Sequence, residues 1–182
     1  MSREIDAAWV EPDHVDEILQ QWARERPDVD VSAMAIIGRI SRLEKVIRPR
    51  LNAVFADHDL ESWEFDVLAT LLRTGPPNRL TPGELLASMM ITSGAMTNRI
   101  DRLEKRGLVK RERSRDDGRL VLVTLTRKGR KKVDAALVDH AANELRIISA
   151  LTPAQRAQLA DLLRLLHHAV SAQPAGPDDS KA

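Results

Sequence analysis

Apolar residues recur along this chain at helical spacing, in stretches separated by polar turns. Val15, Ile18, Leu19 and Trp22 follow the i, i+3, i+4, i+7 pattern of one helix face, and Pro27 in ERPDVD ends that helix. Ile36, Ile40, Leu43, Ile47, Leu51 and Val54 keep the period to Ala56, with Pro49 inside the run as a candidate kink. SWEFDVLATLLRTG predicts a third, short helix capped by Ser62 and stopped by Gly75, with Phe65, Leu68 and Leu72 facing inward.

The next stretch, TPGELLASMMITSGAMTNRIDRLEKRG, reads as two helices joined by a tight turn. Thr81 caps the first, Pro82 takes its first helical position and Glu84 completes a capping box. The second starts near Thr92 or Ser93, runs to Arg106 and stops at Gly107, burying Met96, Ile100 and Leu103; Met89 and Met90 read as further core filler. Its other face carries Ser93, Thr97, Asn98, Arg99 and Arg102. A short helix, a turn and a longer helix with a polar outer face make a helix-turn-helix, whose second helix enters the major groove and reads base edges.

LVKRER, the turn SRDDG and RLVLVTLT then predict a β-hairpin with its tip at residues 114–119. Leu120, Leu122 and Thr124 fall on one face of its second strand, and Val121, Val123 and Leu125 on the other. A basic hairpin directly after a recognition helix is a wing, which lies on the DNA backbone or sends an arginine into the minor groove. Thr126 caps a long helix that continues through Val133, Leu137 and Leu145. Thr152, Pro153 and Gln155 open a last helix with Leu159, Leu162, Leu163, Leu166 and Val170 in one stripe. The tail SAQPAGPDDSKA, rich in Pro, Gly and Asp, is expected to be disordered. The fold class is mainly α with a small β-hairpin, a winged helix-turn-helix between N- and C-terminal helices.

Charge changes this picture. The 182 residues carry a net charge of only +1, but its distribution is uneven. Residues 1–98 hold 10 basic and 16 acidic side chains, net −6; residues 99–132 hold 14 and 5, net +9; residues 133–182 hold 4 and 6, net −2. The basic block coincides with the expected recognition helix, wing and following helix start, the footprint of a polyanion-binding surface. A solvated helix face with a charged hairpin is the plainer reading of the same residues. With five aromatics (Trp9, Trp22, Trp63, Phe55, Phe65) and no tyrosine, base stacking on single strands is not the expected mode.

Composition excludes other classes. The absence of cysteine removes thiolate metal sites, a cysteine nucleophile and thiol redox switching. No apolar run approaches the roughly 18 to 20 residues of a membrane span, and the acidic start is unlike a signal peptide, so no membrane partner and a cytoplasmic location are expected. No G-x-S-x-G, H-E-x-x-H or phosphate-cradling loop occurs, and an enzyme is not expected. No metal site is expected either: His167 and His168 point about 100° apart on a helix and do not readily chelate one ion together. A histidine that senses pH or joins a distant carboxylate at a metal stays open as an alternative.

From Leu103 to Arg111 the chain carries an L-x-x-x-G-L-V-x-R passage, then Asp117-Gly118-Arg119 with LVLVTLTRKG behind it. This order of elements and residues resembles the winged helix-turn-helix of the MarR family of transcriptional regulators. Asp117 and Arg119 match the family's wing signature, with Gly118 where Asp-Arg-Arg is commoner. The resemblance implies a homodimer on a pseudo-palindromic double-stranded DNA operator. Residues 1–58 would hold an extra helix and a dimerisation helix, 59–126 the DNA-binding domain, 127–170 the C-terminal dimerisation helices and 171–182 the tail. DNA contact is expected from Ser93, Thr97, Asn98, Arg102, Arg113, Arg115 and Arg119.

ILQQWARERPDVD, LESWEFDVLATLL and SGAMTNRIDRLEKRGLVKRER also resemble the urate-responsive branch of that family, which has the extra N-terminal helix. The branch's ligand residues fall on Trp22, Asp66, Arg99 and Arg111, with Lys110 and Arg113 as neighbours able to take the last role. The resemblance implies a repressor with no cofactor, released by a small-molecule effector such as urate or a related purine. An indole stacks on a planar purine, and an arginine fork binds its anionic edge. Asp66 would hold Arg99 in the empty state, or feel repulsion from an anionic ligand. The plainer readings are a core or interface Trp22, a capping Asp66 and an Arg99 that only touches phosphate. A phenolic effector, a metal or pH, and an architectural DNA binder without effector, are the alternatives.

Overall fold

The computed structural model describes residues 11–89, 93–114 and 117–172, apart from the side chain of Ser93. The expectations placed on Arg115, Met90, Thr92 and the tail from 173 lie outside these residues. The elements run α1 (His14–Glu25), α2 (Met34–Asp57), α3 (Ser62–Arg73), β1 (Arg79–Leu80), α4 (Pro82–Met89), α5 (Ser93–Lys105), β2 (Val109–Arg113), β3 (Val121–Leu125), α6 (Arg127–Ile147) and α7 (Pro153–Ser171). The chain divides into two compact units, residues 1–53 and 54–182.

In the first unit Asp13 caps α1, accepting from the Val15 amide at 2.8 Å while its own amide donates to Asp16 Oδ2 at 2.8 Å. Val15 is buried, and its methyls lie where a Cβ on Gly38 would touch them at 3.4 Å. Arg39 of α2 donates to both Asp13 oxygens at 3.0 Å and pairs with Asp16 at 2.7 Å, which holds the Asp16 carboxyl below its usual range. Apolar contact and ion pairs therefore fix α1 on α2. The helix α2 continues through Pro49 without a break in its assignment.

The second unit is a winged helix-turn-helix. Its core is built from Phe65, Val67, Leu68 and Leu71 of α3, Leu85 of α4, Met96, Ile100 and Leu103 of α5, Val109, Val123 and Leu125 of the sheet, and Val133 and Ala136 of α6, all buried. Each of these side chains other than Ala136 contributes roughly 1.5–3 kcal/mol of transfer free energy. The hairpin pairs β2 with β3 from Val109 opposite Leu125 to Arg113 opposite Val121. A strand that sequence reasoning missed, β1, pairs with β3 on its other edge, giving the order β1-β3-β2. Gly107, at φ +68, turns the chain from α5 into β2.

Caps account for the other boundaries. The Thr81 amide donates to Glu84 Oε2 at 2.7 Å and the Glu84 amide to Thr81 Oγ1 at 3.2 Å. Thr152 and Gln155 repeat this reciprocal pair at α7, and Thr126 Oγ1 accepts from the Gly129 amide at 3.0 Å at α6. Two local expectations shift. Glu61, not Ser62, is the N-cap of α3, and Leu71 rather than Leu72 is fully buried, because α3 turns its Val67–Leu68–Leu71 face to the core. Beyond Val133 and Ala136 the apolar rows of α6 and α7 are not buried: Leu137, Val138, Leu145, Leu159, Leu162, Leu163, Leu165 and Val170 are exposed, and α7 buries no residue.

Candidate nucleic-acid interface and cleft

The outer face of α5 follows from the burial of the inner one. With Met96, Ile100 and Leu103 inward, Thr97, Asn98 and Arg102 are exposed, and Arg99 is half-buried. In the wing, Arg113 and Arg119 are exposed, and neither guanidinium has an ion-pair partner among the described residues. Asp117 Oδ1 accepts from the Arg119 amide at 2.9 Å, so the wing's signature carboxylate shapes the hairpin tip that carries Arg119. Helix face and wing expose cations and hydrogen-bonding groups, the chemistry of contact with phosphates and base edges.

The recognition helix is held by the start of α3, a feature sequence reasoning missed. Arg102 pairs with Glu61 and lies 4.6 Å from the centroid of the Trp63 ring, while Arg99 lies 5.6 Å from it on the same indole. Trp63 Nε1 donates to Glu61 Oε2 at 2.6 Å, and this bond, then Arg102, holds the Glu61 carboxyl below its usual range. One turn on, Arg106 donates to the buried Glu64 at 2.5 Å and to Asp59 Oδ2 at 2.6 Å. Lys132 of α6 also donates to Asp59 Oδ2, at 3.1 Å. Lys132 and Arg106 keep the Asp59 carboxyl ionised below its usual range. The i, i+4 spacing of Arg102 and Arg106 was the signal available in the sequence; their partners lie about 40 residues away.

A cleft of about 370 Å3 opens between α3 and α4, lined by Asp66, Ala69, Thr70, Arg73, Ser88 and Met89. Asp66 keeps access to solvent, yet the protein around its carboxyl removes enough water to raise its pKa above the ordinary value, against the opposing charges of Arg99 and His140. The charge of Arg99 thus acts on the Asp66 carboxyl, and among the described residues no hydrogen bond or ion pair joins the two. His140 packs tilted against Phe55 and edge-on to Phe65, with centroids 4.9 and 5.0 Å away. Met96 is core, whereas Met89 is half-buried in the cleft wall.

Arg111 is placed differently. Its guanidinium donates to Glu104 Oε2 at 2.6 Å and to Asp101, and its amide donates to Glu104 Oε1 at 2.8 Å. Burial disfavours its charge, but the two carboxylates outweigh that and raise its pKa. Arg111 therefore ties β2 to the last turns of α5. Trp22 stands on α1 in the first unit, 42% exposed. Among the described residues no group of three or more His, Asp or Glu could hold a metal, and no helix is long and apolar enough to cross a membrane.

A family profile described as MarR family matches residues 58–120. The HTH-type transcriptional regulator PecS of Dickeya dadantii (strain 3937) is 37% identical over 158 residues, covering 86% of this chain and 95% of the relative. AbsC, a MarR family transcriptional regulator from Streptomyces coelicolor, aligns with a TM-score of 0.72 at 19% identity, over 80% of this chain and 98% of that one. A mutant MarR from E. coli complexed with operator DNA aligns at 0.65 and 27% identity, over 76% and 99%. An extensive match to PecS, a matching family profile and a winged helix-turn-helix with a cationic outer face lead to one conclusion: the chain belongs to the MarR family, a DNA-binding transcriptional regulator and not an enzyme.

Proposed function

We propose that this regulator is a cytoplasmic homodimeric repressor that binds a pseudo-palindromic operator through α5 and the wing and is released by a small planar anion, urate or a related purine. The observation that carries the ligand-responsive reading is the Asp66–Arg99 coupling. Asp66 lines a cleft of ligand size, and Arg99 belongs to the recognition helix. A ligand that alters the charge beside Asp66 changes what holds Arg99, and so binds the two positions of α5 with different affinity, which is the requirement for shifting such an equilibrium. Trp22 enters this reading through the resemblance, and its indole on α1 is exposed.

In this reading Thr97, Asn98, Arg102, Arg113 and Arg119 touch DNA, with Ser93 and Arg115 carried by the sequence pattern and the resemblance. Arg111, committed to Asp101 and Glu104, serves the junction of α5 and wing. The homodimer is supported by the exposed apolar rows of α6 and α7, which a second copy would bury. A mobility shift on the DNA upstream of the protein's own coding region, repeated with urate, xanthine, salicylate and a chelator, tests the reading. Release by urate at unchanged DNA and salt supports it. Operator binding insensitive to urate, or release only by the chelator, rejects the purine assignment.

A further inference from the structure

Asp66, Ala69, Thr70 and Arg73 stand at i, i+3, i+4 and i+7 on α3, and together with Ser88 and Met89 they line the cleft. The cleft's two charged groups are therefore about two turns apart, roughly 10 Å along the helix axis. Arg73 is the last residue of α3, and Met89 the last of α4. Both helices present C-terminal ends there, whose partial negative charge repels an anion. An anion lodged at that end requires a cation of the cleft itself.

Among the described residues no carboxylate pairs with Arg73, in contrast to Arg102, Arg106 and Arg111. The Arg73 guanidinium makes one long donation to Thr70 Oγ1, at 3.4 Å. Arg102 is taken by Glu61, Arg106 by Glu64 and Asp59, and Arg111 by Asp101 and Glu104. The fork of Arg73 thus keeps most of its five N–H donors for something outside the chain. Ala69 leaves the floor low between the two charges, and Met89 offers a polarisable wall to a flat ring.

We propose that Arg73 is the anion-recognising residue of this cleft, binding the charged edge of a small planar monoanion whose opposite edge donates an N–H or O–H to Asp66. The assignment rests on the ligand-responsive reading above and adds to it the cation that fixes the ligand's direction. It selects oxo- or hydroxy-substituted heterocycles with charge at one end and a donor at the other. Neutral purines of the same size lack the first feature, and simple carboxylates lack the second.

The test uses the full chain on labelled operator DNA, with urate and the neutral purine hypoxanthine as probes. For the wild type, urate is expected to release DNA at a lower concentration than hypoxanthine. Arg73→Gln should require about tenfold more urate, the loss expected for one paired, charge-assisted contact, and should lose the discrimination between the two purines. Arg73→Lys, which keeps the charge without the fork, should fall between. Calorimetric titration of urate into each DNA-free variant reads the same fold-change and holds if a variant's operator affinity has itself altered. A wild type released by urate with an Arg73→Gln variant of equal urate sensitivity overturns the Arg73 assignment alone. A wild type that neither binds urate nor is released by it overturns the ligand reading and this assignment together.

Discussion

The guanidinium of Arg102 lies 4.6 Å from the centroid of the Trp63 ring and is paired with Glu61, whose carboxylate also accepts the Trp63 indole N–H. An arginine proposed to face DNA is thereby held by an anion of its own chain. Glu61→Gln keeps the shape and removes the competing charge. Operator affinity should rise about two- to tenfold, and the slope of log K against log salt should steepen by roughly one unit, the signature of one more phosphate neutralised. An unchanged slope in anisotropy titrations from low to high salt would mean that Arg102 makes no phosphate contact.

Gly129 tests the seat of α6 against the wing. A Cβ there would meet the Leu108 carbonyl oxygen at 2.0 Å and Leu125 Cδ1 at 3.0 Å. In an ordinary helix Gly→Ala is stabilising by about 1 kcal/mol. Here Gly129→Ala must push α6 off Leu108, and a loss of about 2 kcal/mol or more is expected. The sign of the change in urea denaturation decides the matter, because packing and propensity predict opposite signs.

Arg111 gives a stability prediction where the family resemblance points to a ligand. Arg111→Gln leaves Asp101 and Glu104 facing each other without their shared cation, at a half-buried position. A loss of about 1–2 kcal/mol is expected from the two charge-assisted bonds. Denaturant midpoints with and without urate separate the roles: an equal shift in both fits the junction, and a shift confined to the urate series fits ligand contact.

Asp66 predicts a pH dependence. Its carboxyl is raised above the ordinary value of 3.8, chiefly by desolvation, so the folded chain binds this proton more tightly than the unfolded chain. Stability therefore falls as pH rises through the window between the unfolded and the folded pKa, and the deficit is complete above it. Asp66→Asn should be more stable than the wild type at neutral pH, and the gap should close as pH falls below the ordinary carboxylate value. Thermal unfolding of both proteins across that range measures it; a gap constant with pH excludes Asp66 as its source.

Much of this was legible because local chemistry decided it. The Thr81–Glu84 and Thr152–Gln155 caps, the stop at Gly107 and the inward Met96, Ile100 and Leu103 each depend on residues within one or two turns. What escaped depends on distant partners. The two-residue β1 exists because β3 is beside it, and Arg106 finds Glu64 and Asp59 across more than 40 residues. Leu71 and Leu72 are equally apolar, so only the packing of α3 shows which one is core. Nothing in the pattern singles out Arg73, seven residues after Asp66; its lack of a carboxylate partner among the described residues depends on how the fold distributes distant acids.

The exposed rows on α7 give the last prediction. Leu162, Leu163 and Leu165 are 57, 46 and 68% exposed on a helix that buries nothing within its own chain. Leaving so much apolar surface in water costs about 25 cal/mol per Å2, so a second copy is the expected cover. Leu163→Asp places a charge in that seam, and sedimentation should show the mass falling from dimer to monomer. Since a dimer holds two half-sites at once, the monomer should lose at least about 100-fold in operator affinity, although α5 and the wing are untouched. A variant that stays dimeric would move the interface off this face of α7, whereas a monomer that binds operator as tightly as the wild type would separate dimerisation from DNA recognition.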